Sequence, residues 1–150
     1  MSGLNEQGFS LIEVLVALLI MSVGMLGVAG LFAHSTQAGR TAMLQHQALL
    51  LASDVAERIR ANPRAGVAYQ GAHGSGSCAA ENAVCDAQSM AGHDIALWQR
   101  QAAQTLPGGQ VAVSVDDSRS PPTYAISVTW SEPGARTLPS HTIVVPVRQD

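Results

Sequence analysis

The feature that most constrains this chain is a stretch without charge. Between Val14 and Gly39 there is no Asp, Glu, Lys or Arg, and between Phe9 and Gly39 the only charge is Glu13. Residues 11–32 (LIEVLVALLIMSVGMLGVAGLF) are 22 almost wholly apolar positions. As a helix they reach about 33 Å at about 1.5 Å per residue, which matches a bilayer hydrocarbon core of about 30 Å. A segment apolar on every side predicts a membrane span. A cleavable secretory signal fits less well, because its apolar region runs about 7–15 residues behind a basic stretch. Here residues 1–8 (MSGLNEQG) hold neither Lys nor Arg.

The rest of the chain is sparingly charged. Of 150 residues 13% are charged, about half the roughly 25% of an ordinary soluble domain, while 47% are hydrophobic, so a disordered protein is excluded. Eight Arg and no Lys oppose eleven acids, for a net charge of −3. From residue 63 onward five Arg face seven acids, which gives no field for direct nucleic-acid binding.

Glu13 stands out, because an ionised carboxylate at the centre of a membrane helix costs about 2.5–3.5 kcal/mol. One reading is a capping box: Ser10 and Glu13 have the S-x-x-E spacing that satisfies backbone N–H groups at a helix start. The other is functional. A polar leader ending in Gly8, then Phe9-Ser10-Leu11-Ile12-Glu13 and an unbroken apolar helix, resembles the class III signal of type IV prepilins and type II secretion pseudopilins. The resemblance implies cleavage between Gly8 and Phe9 by prepilin peptidase on the cytoplasmic side and N-methylation of Phe9. It also implies an assembly role for Glu13, whose carboxylate would neutralise a neighbouring subunit's N-terminal amine and so offset part of its burial cost.

By that resemblance the chain is stored in the inner membrane as a single pass, N-terminus cytoplasmic and C-terminal body periplasmic, and then enters a pilus. Charge bias alone opposes this topology: the leader carries only Glu6, and Arg40, Arg58, Arg60 and Arg64 follow the span. The expected partners are prepilin peptidase, other minor pilins, the major pilin, the assembly platform, a tip adhesin and the inner membrane.

The first proline is Pro63, so one helix from about residue 9 to 61 is predicted. Leu44, Ala48, Leu51, Val55 and Ile59 form an apolar stripe at helical period, opposite Gln47, Asp54, Glu57, Arg58 and Arg60. That stripe predicts packing against a sheet. Gly24, Gly27 and Gly30 each weaken a helix by roughly 1 kcal/mol relative to Ala. By resemblance to pilins, this segment is expected to loosen on assembly.

Residues 63–92, rich in Gly, Ala and Ser, read as a long surface loop holding both cysteines. In an exported protein Cys78 and Cys85 are expected as a disulfide; the rival is a metal site built from His73, Cys78, Cys85 and His93, whose spacing matches no compact zinc pattern. Residues 94–105 predict a short amphipathic helix capped by Asp94, with Ile95, Trp98, Ala102 and Leu106 inward and Pro107-Gly108-Gly109 ending it. Three runs then alternate with period two: Val111, Val113, Val115; Tyr124, Ile126, Val128, Trp130; and Ile143, Val145, Val147. They predict an antiparallel sheet with one buried face, and Pro146 places the last strand at an edge or at a bend.

The expected fold is therefore α+β and pilin-like: leader 1–8, membrane half-helix 9–33, amphipathic half-helix 34–62, and a head of residues 63–150. From Cys85 through the second helix into Leu106-Pro107-Gly108-Gly109 the chain resembles PilV-type minor pilins, which implies priming of a type IV pilus at or near its tip, with adhesion or twitching motility. No H-E-x-x-H, G-x-S-x-G, Walker or dinucleotide motif occurs, so neither an enzyme nor a cofactor is expected. The alternatives are a minor pseudopilin of a type II secretion system and, in another class, a single-pass anchored periplasmic enzyme or binding domain.

Overall fold

Leu11–Ala61 forms one α-helix, α1, of 51 residues. The computed structural model describes residues 8, 10–71, 78 and 84–148; the leader residues 1–7, Phe9 and His73 lie outside them. The chain divides into two compact units, Met1–Arg40 and Thr41–Asp150.

In the first unit the helix is apolar on every side and no described residue covers it: Leu11, Leu19, Leu26, Leu31 and Phe32 are each two-thirds or more exposed. Two of its hydroxyls are satisfied within the helix: Ser22 donates to the Leu18 carbonyl at 2.7 Å and Thr36 to the Ala33 carbonyl at 2.9 Å. Gly24, Gly27 and Gly30 lie within the helix, with no atom near where a Cβ would stand. Nothing in the single chain requires glycine there.

In the second unit the helix becomes one-sided. Leu44, Ala48, Leu51, Val55 and Ile59 are all buried, together with Ala52 and Ala56. They join a single core with the inward residues of a second helix and of a sheet. The helix ends where Pro63 removes a backbone donor, and Pro63–Tyr69 tightens into a 3-10 segment with a kink at Gly66 (φ 53°).

The predicted loop is thus shorter than residues 63–92. It contains this 3-10 turn and yields early to α2, Ala87–Thr105. The cap of α2 is Asp86 and not Asp94: the Asp86 carboxylate accepts the Ser89 N–H at 2.8 Å. The hydrogen bonds from Ser89 hold the Asp86 carboxyl below its usual range. Asp94 instead lies two turns inside the helix and is buried. Ile95, Trp98, Ala102 and Leu106 face the core as their spacing predicts.

Strands β1 (Gln110–Asp116), β2 (Thr123–Thr129) and β3 (Ser140–Pro146) pair antiparallel in the order β1-β2-β3. Val111 opposes Val128 and Tyr124 opposes Val145, so the apolar sets of all three strands fall on one face. Tyr124, Ile126, Val128 and Trp130 supply its buried centre. β3 is an edge strand, as Pro146 requires.

Between α2 and β1 the chain reverses over Leu106–Gly109. Gly108 has φ +60°, and a Cβ on Gly109 would overlap the Ala102 carbonyl. Gly109→Ala is therefore expected to destabilise the head by about 1–3 kcal/mol, the range of overpacking in a tight site, read as a lower Tm of the detergent-extracted chain. Gly24→Ala, with open space around it, is the control and does not lower Tm.

Candidate functional site

The candidate site is the start of α1. Ser10 begins it through its backbone: its carbonyl accepts the N–H groups of Glu13 at 3.0 Å and Val14 at 3.3 Å. The expected capping box is absent among the described residues, because the Ser10 hydroxyl and the Glu13 carboxylate make no hydrogen bond there. The first turn closes on the Ser10 carbonyl alone, which leaves the carboxylate unspent. Glu13 is exposed, at the head of a shallow groove of about 320 Å³ lined with Val14, Ala17, Leu18 and Met21.

Chemically this arrangement is a single anionic group on an otherwise uncharged, uncovered apolar rod. Water is a poor medium for the rod, since each exposed Leu or Ile costs about 1.5–3 kcal/mol relative to burial. The helix is long and apolar enough to cross a membrane, and bundled helices of like composition would serve it equally. In either setting Glu13 gains from a cation nearby. Gly8 is exposed, with open space around its Cα, while Phe9 lies outside the described residues.

Cys78 and Cys85 form a disulfide, with Cα atoms 6.0 Å apart. The pairing withdraws both sulfurs from the rival metal set. The His93 ring, another member of that set, accepts the Cys78 N–H on Nδ1 at 3.2 Å and ties the disulfide to α2. Among the described residues no cluster of three or more His, Cys, Asp or Glu is arranged to hold a metal ion.

Sequence reasoning missed the polar junction that fastens α1 to the head. Asp94 accepts from the Tyr69 hydroxyl at 2.9 Å and from Arg58 at 3.3 Å. Arg58 also pairs with Asp54 one turn earlier. Asn62 donates to the Tyr69 oxygen at 3.1 Å and to the Ala87 carbonyl at 2.9 Å. Tyr69 stacks on Trp98 with ring centroids 5.6 Å apart. Burial, with Asp94 as acceptor, holds the Tyr69 phenol well above its ordinary pKa. The available signal was Asp94 one residue before Ile95 on a buried helix face, a polar position that demands partners.

Residues 3–29 match the family model of the prokaryotic N-terminal methylation motif, and residues 30–96 match that of type IV pilin Tt1218. The first match covers Gly8, Phe9 and Glu13; the second covers the lower part of α1, the disulfide and the start of α2. The three strands lie outside both. Neither a curated protein nor a solved structure matches the chain.

Proposed function

From the premise that this chain belongs to the type IV pilin family, we propose that it is a minor pilin of the PilV type. It is stored in the inner membrane with its head in the periplasm, cut between Gly8 and Phe9, and drawn into a type IV pilus. The observation that carries this reading is the uncovered apolar half of α1 with one carboxylate, Glu13, near its start. Such a helix exchanges lipid for other pilin helices at little cost, and the carboxylate gives the exchange a register by pairing with a neighbour's N-terminal amine. The domain limits follow the chemistry: leader 1–8, membrane and fibre-core half-helix 9–33, amphipathic half-helix 34–62, head 63–150.

The family is one of structural subunits, so the role is assembly, in which this chain joins other minor pilins to prime the fibre at or near its tip and supports adhesion or twitching motility. The assembly platform, the major pilin and prepilin peptidase are its partners. Deletion of the gene is expected to remove surface pili and motility, with the protein itself present in sheared filaments of the parent strain. Unchanged piliation and motility sink the proposal. An intracellular build-up of normally secreted enzymes after deletion would instead identify a type II secretion pseudopilin.

A further inference from the structure

The two edges of the sheet are finished differently. On β1 the outward backbone groups of Val111 and Val113 are met: the Val111 N–H donates to the Gln99 side-chain oxygen at 3.4 Å while Gln99 Nε2 donates to the Val111 carbonyl. Next along, Val113 and Gly71 exchange two backbone bonds at 2.8 and 3.1 Å. A carboxamide and a single glycine thus close that edge at Val111 and Val113.

On β3 no described residue does the same. The Val147 N–H donates to the Pro122 carbonyl and the Trp130 N–H to the Pro139 carbonyl. In an antiparallel pair, bonded and non-bonded positions alternate. The odd residues of β3 therefore bond β2, and Ser140, Thr142, Val144 and Pro146 turn their backbone groups outward. Among the described residues the outward groups of Thr142 and Val144 have no partner, and no strand lies beyond β3. Open edges are ordinarily blunted by charge, by bulges or by proline. The strand SHTIVVP has no charged residue, carries its proline at the last position only, and leaves Val144 63% exposed.

Beside the start of this strand lies an open cavity of about 570 Å³, with Gln45, His46 and Leu49 of α1 on one wall and Trp130, Pro139 and His141 on the other. Apolar walls with imidazole and amide groups suit a side chain that is aliphatic at its stem and polar at its tip.

We propose, on the reading that this chain is a pilus subunit, that an extended segment of another pilin subunit adds to β3 as a fourth strand, with an inward side chain in this cavity. The unmet groups recur at strand spacing, which an extended backbone answers in series; the main chain then supplies affinity and the cavity specificity. A second copy of this chain fits worse. Pairing β3 antiparallel with itself, centred on Ile143, sets Pro146 against Ser140 at both ends and loses a donor each time.

The test is photo-crosslinking in cells on the full chain, with Ser140→benzoylphenylalanine at the edge and Leu19→benzoylphenylalanine in the apolar helix. The expected product at position 140 is an adduct to a segment of a different pilin. Val144→Pro should lower its yield about tenfold, the scale set by losing about one main-chain hydrogen bond. That N–H is unused within the fold and Pro146 already occupies the same register, so the variant should keep the parent's Tm; should it unfold, Val144→Lys replaces it. An adduct indifferent to the substitution, or one made only of this chain's own peptides, overturns the proposal. Adducts to pilins from position 19 with none from position 140 overturn the edge and leave the subunit reading standing. None from either position overturns both.

Discussion

Protein extracted from membranes that contain prepilin peptidase will begin at N-methylated Phe9, 142 residues long, and the same chain from cells without the peptidase will keep Met1–Gly8. Intact-mass and N-terminal fragment spectrometry separate the two forms directly. Gly8→Val isolates the recognition step. Gly8 is exposed and a Cβ there meets nothing, so the substitution costs the fold nothing. A protease site shaped for a residue without a side chain should reject a branched one, and the mature fraction is expected to fall about a hundredfold. A chain that keeps its leader in the presence of the peptidase would make Glu13 an incidental charge on an ordinary membrane anchor.

Glu13 should behave oppositely to Gly8. It lies beyond the cut, in the first turn of α1, and makes no hydrogen bond among the described residues. Glu13→Ala therefore leaves processing intact and removes the charge that would recognise a neighbour. The pairing of a normal mature mass with a depleted filament fraction separates assembly from maturation. Because Glu13 does not serve as a helix cap here, such a loss could not be ascribed to a frayed helix start.

Much of this architecture was legible in the sequence because its elements are long and strictly patterned. The charge-free run, the absence of proline before Pro63 and the stripe from Leu44 to Ile59 together define α1. The period-two runs define three strands, and Pro146 marks the edge among them. The misses share a cause: they involve polar residues whose role depends on distant partners. Asp94 looked like a cap since it precedes an apolar helical face, but Asp86 caps the helix two turns earlier. Asp94 is used instead by Tyr69 and Arg58, which are 25 and 36 residues away in sequence. Gln99 likewise closes the β1 edge from a helix, and no spacing rule anticipates a side chain that substitutes for a strand. At Ser10 and Glu13 the local motif matched while the bonds it stands for did not form.

The Asp94 junction should dominate the stability of the head. Asp94→Ala removes the acceptor of a buried Tyr69 hydroxyl and one carboxylate of Arg58. A stranded buried hydroxyl costs about 1–3 kcal/mol. The Arg58 contribution is smaller, because its side chain is 42% exposed and retains Asp54. A total near 3 kcal/mol lowers Tm by roughly 10 °C for a chain of this size. Asp94→Asn keeps an acceptor for Tyr69 and should lose about 1 kcal/mol. The phenol makes a second test available through pH. Burial raises its pKa above the unfolded value of about 10. The neutral form is thus favoured in the folded chain: the stabilisation is intact below pH 10 and declines as pH rises beyond it. Thermal unfolding in detergent should show a steeper loss of stability above about pH 10 in the parent chain than in Tyr69→Phe. Equal slopes in the two would mean that the phenol is not held as the Asp94 geometry requires, and the junction would reduce to the packing of Tyr69 on Trp98.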